Sequence, residues 1–198
     1  MSDATILHAA GRAISRLGPA RLTLADVAAE AGVAPPTLLQ RFGSKRGLLL
    51  AFAARGIEGA RRAFAAARTR MPSPLEAVVE ALVGMTAAVA TREAMANHLA
   101  FLQMDLADPE FHAHARTHAV VLREEIGACL DRAVARGELP AAETGPAARA
   151  VHAAFNGALL AWAVDGEGTV EQAVRDAVGV VLRGLDAEGR RRAAPPPG

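Results

Sequence analysis

The side chains with the clearest chemical use lie in the segment from residue 35 to residue 45, PPTLLQRFGSK. It combines a hydroxyl and an amide, on Thr37 and Gln40, with the cations of Arg41 and Lys45. Hydroxyl, amide and guanidinium groups can hydrogen-bond base edges in the DNA major groove, and ammonium groups pair with phosphates. These residue types therefore favour contact with nucleic acid.

Four histidines in the middle of the chain form a second group that could do chemistry. His114 and His118 are four residues apart and would share one helical face, as zinc ligands can, but the spacing fixes no further ligand. Together with His98 and His112 they also fit polar positions in a pocket or on the surface. No phosphate loop, nucleophile elbow or paired-carboxylate motif is present, so we expect no catalytic residue, no metal site and no cofactor.

Two short helices joined by a tight turn should position the polar segment. Thr23 and Asp26 have the spacing of a capping box, so the first helix should begin directly after Thr23. Gly32 should end it, and Pro35 and Pro36 should open the second helix, because proline fits a first helical turn. The polar residues then face outward, as in a helix-turn-helix. The side chains that would face inward are Val27, Ala31, Val33, Leu38 and Phe42.

The run from Thr23 to Leu49 resembles the helix-turn-helix of TetR-type transcriptional regulators. In that family a threonine opens the first helix, Ala-Gly-Val forms the turn, Thr-Leu lies in the recognition helix, and Phe-x-Ser-Lys leads into the next helix. The family usually has a tyrosine after Thr-Leu, whereas this chain has Leu39, which removes a hydroxyl contact to the DNA backbone and adds an apolar group. The matching residues are Thr23, Ala31-Gly32-Val33, Thr37-Leu38 and Phe42-Gly43-Ser44-Lys45.

The resemblance implies an all-α fold of about nine helices and a ligand-responsive DNA-binding regulator, here expected to be a repressor of a double-stranded DNA operator. Thr37, Gln40 and Arg41 would meet base edges, and Thr23 and Lys45 would hold phosphates. A phosphate at the helix start after Ser44 would accept hydrogen bonds from the backbone and the lysine together. The full predicted set includes two apolar contacts: Thr23, Pro36, Thr37, Leu39, Gln40, Arg41 and Lys45.

Charge is distributed unevenly along the chain. Residues 1–70 contain eleven lysine and arginine residues against four acids, a formal charge of +7, and the remainder carries −6. A basic N-terminal part attracts a polyanion, although a solvated basic face would give the same count. The helix-turn-helix within the same residues favours the first interpretation.

Composition predicts an all-helical chain with a substantial core. Of 198 residues, 52% are apolar and 4% aromatic, and no run of alternating β-branched residues indicates a strand. The single cysteine, Cys129, excludes an internal disulfide and fits a reducing cytosol. The longest uncharged stretch, residues 150–164, is too short to span a bilayer, so we expect a cytoplasmic protein without a membrane segment.

Proline and glycine residues divide the chain into parts. We predict a helix-turn-helix DNA-binding domain over 1-49, a linking helix over 45-70, and a ligand-binding and dimerisation domain over 71-186 after the break at Met71-Pro-Ser-Pro74. A disordered tail is expected over 187-198. The other predicted helices span 3–17, with Asp3 as its cap, and 74–90, 92–106, 109–136, 146–164 and 170–186.

The last two predicted helices suit a homodimer. Helix 146-164 has a face of small residues that would allow close approach, and helix 170-186 has an apolar stripe. Two copies would form a four-helix bundle and place two recognition helices about 34–36 Å apart over a palindromic operator, although burial of both faces inside one chain remains open. The stripe comprises Val170, Val174, Ala177, Val178, Val181, Leu182 and Leu185.

The segment from Met95 to Phe111 is richer in methionine and aromatic residues than its surroundings. The resemblance implies an effector cavity in the body of the protein, and these residue types fit a small-molecule effector that is largely apolar. Ordinary core packing explains any single residue equally well. The predicted lining residues are Met95, His98, Phe101, Leu102, Met104, Phe111, His118, Phe155 and Trp162.

A competing interpretation comes from another functional class. It is a helical small-molecule or metal-binding protein whose basic N-terminal part binds no specific DNA. Sequence-selective DNA binding favours the regulator, whereas a rise in melting temperature with added zinc favours the alternative.

Overall fold

The computed structural model describes residues 1–140 and 143–193, with side chains as far as residue 185. Within these ranges the backbone forms nine α-helices, one short 3-10 helix over Met85–Val89, and no strand, which confirms the all-α prediction. The α-helices are α1 (Asp3–Arg21), α2 (Leu24–Ala31), α3 (Pro35–Phe42), α4 (Lys45–Arg70), α5 (Pro74–Gly84), α6 (Arg92–Ala107), α7 (Pro109–Ala135), α8 (Thr144–Asp165) and α9 (Val170–Ala193).

The chain packs into two compact units, each built from two separate stretches. The first contains Met1–Gly59 and Ala87–Ala119, and the second contains Ala60–Thr86 and the described residues from Val120 onward. The division falls inside α4 and α7, so α6 and the first part of α7 belong to the same unit as the helix-turn-helix. A functional boundary at residue 71 stays a prediction.

The two ends of α1 differ from the prediction in detail. The Ser2 hydroxyl oxygen accepts the backbone N–H of Thr5 at 3.2 Å, so Ser2 is the N-cap, and Asp3 already lies in the first helical turn. Gly18 has a φ of 72°, a left-handed conformation that glycine adopts without strain. The helix predicted to end at residue 17 therefore has a break at Gly18 and continues for one more turn.

The core of the first unit joins the N-terminal helices to α6 and α7. Val27 of α2, Leu38 of α3 and Leu48 of α4 are fully buried. Phe101 of α6 and Phe111 of α7 belong to the same apolar cluster. The core that contains Leu38 of α3 therefore also includes aromatic rings from outside the helix-turn-helix. The remaining predicted inward residues pack against this cluster while partly buried: Ala31, Val33 and Phe42.

The helix predicted over 74–90 is shorter than expected. α5 ends at Gly84, and the 3-10 helix follows. Glycine has a low helix propensity, and the buried Thr86 hydroxyl donates to the backbone carbonyl of Val83 at 2.8 Å. This local hydrogen bond offers the backbone an alternative to a continuous α-helix.

The last helix is longer than expected. The predicted disordered tail over 187-198 is wrong for residues 187–193, where the backbone continues α9. The physical reason is composition, because Ala187, Glu188 and the arginines at 190–192 are good helix formers. The final part of the predicted tail, residues 194–198, lies outside the described residues.

The second unit buries the bulky faces of α8 and α9. On α8, Val151, Phe155, Leu159 and Trp162 are buried, as the pattern of large and small residues predicts. On α9, four residues of the predicted stripe are covered within the chain itself: Val170, Val174, Val178 and Leu182. Burial inside one chain, which the sequence left open, thus accounts for this part of the stripe.

No single helix in the described part of the chain is long and apolar enough to cross a membrane; one bent pair, Pro74–Val89 with Arg92–Ala107, meets the length and composition test only when taken together.

A steric test of the first unit is offered by two glycines of α4. A Cβ at Gly47 would lie 2.0 Å from the backbone oxygen of Phe42, whereas one at Gly59 would meet no atom within 4 Å. We expect Gly47→Ala to lower the free energy of unfolding by at least about 2 kcal/mol, because the recognition helix must shift. The matched Gly59→Ala should raise it by up to about 1 kcal/mol through helix propensity. Chemical denaturation measures both, and equal effects would contradict the steric role of Gly47.

Candidate nucleic-acid interface

Thr23 opens the helix-turn-helix with a complete capping box. Its hydroxyl oxygen accepts the backbone N–H of Asp26 at 3.2 Å, and its own backbone N–H donates to Asp26 Oδ2 at 2.8 Å. The Thr23 hydroxyl also donates to the Asp26 carboxylate at 2.6 Å, and these hydrogen bonds lower the pKa of Asp26. A phosphate contact by Thr23 would have to exchange with a hydrogen bond inside this box.

Most residues of α3 that were predicted to contact DNA are accessible. Pro36, Gln40 and Arg41 are exposed, and Thr37 is half-buried. Leu39 is 55% exposed, although leucine has no polar group that favours contact with water. These positions fit the predicted interface, and the individual base contacts stay predictions.

Arg41 is paired with a residue that the sequence analysis did not place at the interface. Its Nη1 donates to Asp3 Oδ1 at 2.6 Å. The two residues are separated by 38 positions along the chain, so no local pattern could have revealed the contact. It brings the first turn of α1 beside the recognition helix.

Lys45 is the first residue of α4, as predicted. The Ser44 hydroxyl oxygen accepts the backbone N–H of Gly47 at 3.0 Å and so caps this helix. The Lys45 ammonium donates to the backbone carbonyl of Ala20 at 2.9 Å. Because Ala20 lies in the last turn of α1, its carbonyl lacks an ordinary helical donor. The ammonium is therefore held beside a helix start, where a phosphate would find both backbone N–H groups and a cation.

Arg46, the second residue of α4, is held by the corner between α6 and α7. Its Nη2 donates to both carboxylate oxygens of Asp108, at 2.9 and 2.8 Å, and its Nη1 donates to Glu110 Oε2 at 2.8 Å. Its guanidinium carbon lies 5.2 Å from the centroid of the Phe111 ring. Although partial desolvation opposes the shift, hydrogen bonds from backbone N–H groups and the Arg46 charge lower the pKa of Asp108. These four groups, here called the Arg46 clamp, join the DNA-proximal end of α4 to α7.

An aromatic row packs behind the Arg46 clamp. The rings of Phe52 and Phe101 meet edge to face with centroids 5.7 Å apart, and those of Phe101 and Phe111 do so at 6.1 Å. The row therefore connects α4, α6 and α7 inside the first unit.

α6 is also attached directly to α1. The Asn97 side-chain amide donates to the backbone carbonyl of Ser15 at 2.8 Å, and the Ser15 hydroxyl donates to the carbonyl of Ala88 at 3.0 Å. A Cβ at Gly18 would approach Asn97 Oδ1 to 2.6 Å, so the Asn97 side chain would have to shift if this position were not glycine. Sequence reasoning missed Asn97, since nothing in its local pattern marks it.

The charge asymmetry along the sequence is not retained by the compact units. Within Met1–Gly59 and Ala87–Ala119 there are nine basic and eight acidic residues, because four arginines between 60 and 70 belong to the second unit. Part of that charge is paired internally: Arg12 and Arg16 bind Glu30 at 2.7 and 3.1 Å and lower its pKa. Attraction to DNA must come from a few positioned cations rather than from net charge.

The residues predicted to line an effector pocket fall in both units. Phe155 and Trp162 belong to the second unit, and the other seven belong to the first. Phe101 and Phe111 are buried in the core of the first unit, so ordinary packing, the alternative left open, describes them in this conformation. Leu102 is 41% exposed. Two further members are also packed: Met95 is buried, and Met104 lies partly buried against the same cluster.

Two of the four histidines interact in the first unit. Burial lowers the pKa of His98, and at His118 burial and the nearby charge of His98 lower the pKa in the same direction. The His98 ring nevertheless keeps accessible surface. Because both pKa values lie below the ordinary histidine value, the pair is expected to be neutral at pH 7. Within the described ranges, no three His, Cys, Asp or Glu side chains are grouped so as to hold a metal ion.

A separate groove of about 600 Å³ lies in the second unit between α5 and α9. Leu75, Val79 and Leu182 supply its apolar wall, and an ion pair of 2.6 Å between Arg175 and Glu80 crosses it. The predicted effector residues do not contribute to its walls.

Comparison with known proteins identifies the N-terminal part. Residues 6–52 match a family model described as bacterial regulatory proteins, tetR family. No curated protein matches the chain. The chain therefore carries a TetR-family DNA-binding domain, and its class is a DNA-binding transcriptional regulator. The match favours this class over a helical binding protein without specific DNA recognition.

Solved structures share the fold over more than nine-tenths of this chain. A TetR regulator from Haloarcula marismortui has a TM-score of 0.75 and 17% identity, covering 93% of this chain and 96% of that one. The TetR-family regulator PfmR from Thermus thermophilus has a TM-score of 0.60 and 26% identity, covering 91% and 98%. A transcriptional regulator from Saccharomonospora viridis, solved in complex with choline, has a TM-score of 0.73 and 18% identity, covering 91% and 95%.

A pH test concerns Asp105 of α6, which sequence reasoning did not select. Partial burial raises the pKa of this carboxyl to about 6. Asp105 therefore binds its proton more tightly in the folded state than in the unfolded chain. The loss of folding free energy caused by the charged carboxylate is complete above about pH 6 and absent below about pH 4. We expect Asp105→Asn to stabilise the protein by about 1 kcal/mol at pH 7.5, after allowance for solvent screening, and to have little effect at pH 4.

Thermal unfolding of both proteins across this pH range measures the difference. Comparison with the parent removes the opposite contribution of carboxylates whose pKa is lowered, such as Glu30. A difference that stays constant with pH would contradict the role assigned to Asp105.

Proposed function

We propose that this regulator is a repressor that a small-molecule effector releases from a palindromic operator. The observation that carries the proposal is the surface formed by α3 and the start of α4. Gln40 and Arg41 are exposed there, and Lys45 stands at a capped helix N-terminus. Thr37, Gln40 and Arg41 read base edges, Lys45 and Thr23 bind phosphates, and the remaining two predicted residues make apolar contacts.

Regulation acts through helices that share a unit with the DNA-binding residues. α6 holds α1 through Asn97, and the α6–α7 corner holds α4 through Arg46. An effector that binds one arrangement of α6 more tightly than another shifts the population of both contacts. The start of α4, and with it Lys45, then takes a different position, and affinity for the operator falls.

The proposed effector is small and largely apolar. His98, Leu102 and His118 retain accessible surface in the first unit, and imidazoles of lowered pKa act as neutral hydrogen-bonding groups. Phe101 lies in the core of the same unit, and Met104 packs against that core. The Saccharomonospora viridis regulator was solved in complex with choline, which is a cation and so differs from a largely apolar effector. We further propose that the protein is cytoplasmic and has no enzymatic activity.

The proposed dimer uses the accessible faces of α8 and α9. Leu160 and Val164 on α8 are 50% and 73% exposed, and Val180 on α9 is 61% exposed. Apolar side chains exposed together on neighbouring helices favour a protein interface. Small residues beside them, including Gly157, permit close helix approach. A second copy covering these faces would complete a four-helix bundle and pair the two recognition helices.

The DNA contact is tested with a randomised duplex pool and a salt titration. The parent protein should enrich one palindromic sequence, with affinity falling steeply with salt. Lys45→Ala should weaken binding to all duplexes alike and flatten the salt slope by about one. Arg132→Ala, which removes an exposed arginine of the second unit, serves as the control and should change neither quantity. Enrichment of no sequence would refute the proposed function, and an unchanged slope would refute the role of Lys45.

The dimer is tested by analytical ultracentrifugation of the full chain. The parent should sediment as a dimer at micromolar concentration, and Val164→Glu should weaken association at least about tenfold by placing a charge in an apolar interface. Val120→Glu adds the same charge at a site on α7 that is 36% exposed and should leave the dimer intact. A monomeric parent, or equal effects of the two variants, would rule out this interface.

A further inference from the structure

An acidic residue stands beside the recognition helix, where DNA phosphates would repel it. Asp3 Oδ1 accepts Arg41 Nη1 at 2.6 Å. The other nitrogens of this guanidinium, Nε and Nη2, make no hydrogen bond within the described part of the chain. Arg41 is thus held along one edge and presents the other edge freely.

The capped first turn of α1 positions Asp3 beside the recognition helix α3. Ser2 caps α1, so Asp3 lies in an ordered first turn. One turn later, Ile6 is fully buried in the apolar cluster that also contains Leu38 of α3. Ile6 and Leu38 thus share one core, and the Asp3–Arg41 ion pair links the first turn of α1 to α3.

The ion pair between Asp3 and Arg41 is expected to add little to the stability of the folded protein. The Asp3 side chain is 62% exposed and that of Arg41 is 36% exposed, and exposed pairs contribute little to folding. The carboxylate also lowers affinity for every DNA sequence, since it places negative charge near phosphates. Its effect is therefore expected in discrimination between sequences rather than in folding or in overall affinity.

We propose that Asp3 is a specificity-determining residue, which orients Arg41 toward a guanine edge and keeps it from pairing with phosphate. The free Nε–Nη2 edge carries two parallel N–H donors, and guanine offers two matching acceptors, O6 and N7, in the major groove. The Asp3 contact leaves this edge open while it neutralises the charge that would draw Arg41 to the DNA backbone. The inference rests on the proposed role of Arg41 in reading a base.

The experiment compares the full-length parent, Asp3→Asn, Arg41→Ala and the double variant. Each is used for selection from a randomised duplex pool, and affinities for the selected duplex and for duplexes with one base pair changed are measured at several salt concentrations. Asp3→Asn should reduce discrimination at one guanine position at least about fivefold and steepen the salt slope for unrelated duplexes by about one. In the Arg41→Ala background, Asp3→Asn should no longer change base preference.

Matched controls separate this role from a general effect of charge. Glu93→Gln removes an exposed acid of the same unit and should leave base preference unchanged. If Asp3→Asn raises affinity for all duplexes equally without altering preference, the inference is wrong. If Arg41→Ala keeps the base preference of the parent, Arg41 does not read a base. The inference is then wrong, although the proposed binding to DNA is not contradicted. If the parent itself selects no sequence, the proposed function fails, and the inference fails with it.

Discussion

The left-handed backbone at Gly18 is the constraint on which the DNA-binding unit depends. The φ of 72° strongly favours glycine, and a Cβ there would also force the Asn97 amide oxygen to move. Close to this break α6 is attached to α1, because the Asn97 side-chain amide donates to the backbone carbonyl of Ser15. It also sets the final turn of α1, whose Ala20 carbonyl receives the ammonium of Lys45. The break at Gly18 therefore lies between the carbonyl that Asn97 binds and the carbonyl that receives the proposed phosphate-binding cation.

The attraction of this unit to DNA depends on which cations are already paired within the protein rather than on its net charge. The sequence places a charge of +7 in residues 1–70, yet the compact unit holds nine basic and eight acidic residues. The pairs in which Arg41 and Arg46 take part further limit the cations available to DNA. Lys45, by contrast, donates to a neutral carbonyl, so its full charge remains to attract phosphate. A site of this kind gains its selectivity from where each cation points, because few charges contribute to non-specific attraction.

Signals that act over one helical turn could be predicted from the sequence, whereas contacts between distant helices could not. The capping box of Thr23 and Asp26 is local, and its prediction is confirmed. The predicted length of α9 was wrong. A run of charged residues and alanine is compatible with both a disordered tail and a helix, and here the run continues a helix that the preceding residues already form. The link between Arg46 and Asp108 spans 62 residues and depends on how α6 and α7 pack, which no local pattern encodes.

Placing α6 and the start of α7 in the unit of the recognition helix changes what regulation requires. If the effector-binding helices and the DNA-binding helices formed separate units, a conformational change would have to pass from one unit to the other through a connecting helix. Here the aromatic row and the Arg46 clamp make the α6–α7 corner part of the support of α4. Packed cores do not deform continuously, so in the proposed mechanism a ligand that favours another arrangement of α6 also alters the contacts at the start of α4. The coupling free energy between the ligand and DNA then cannot exceed the difference in ligand-binding free energy between the two arrangements.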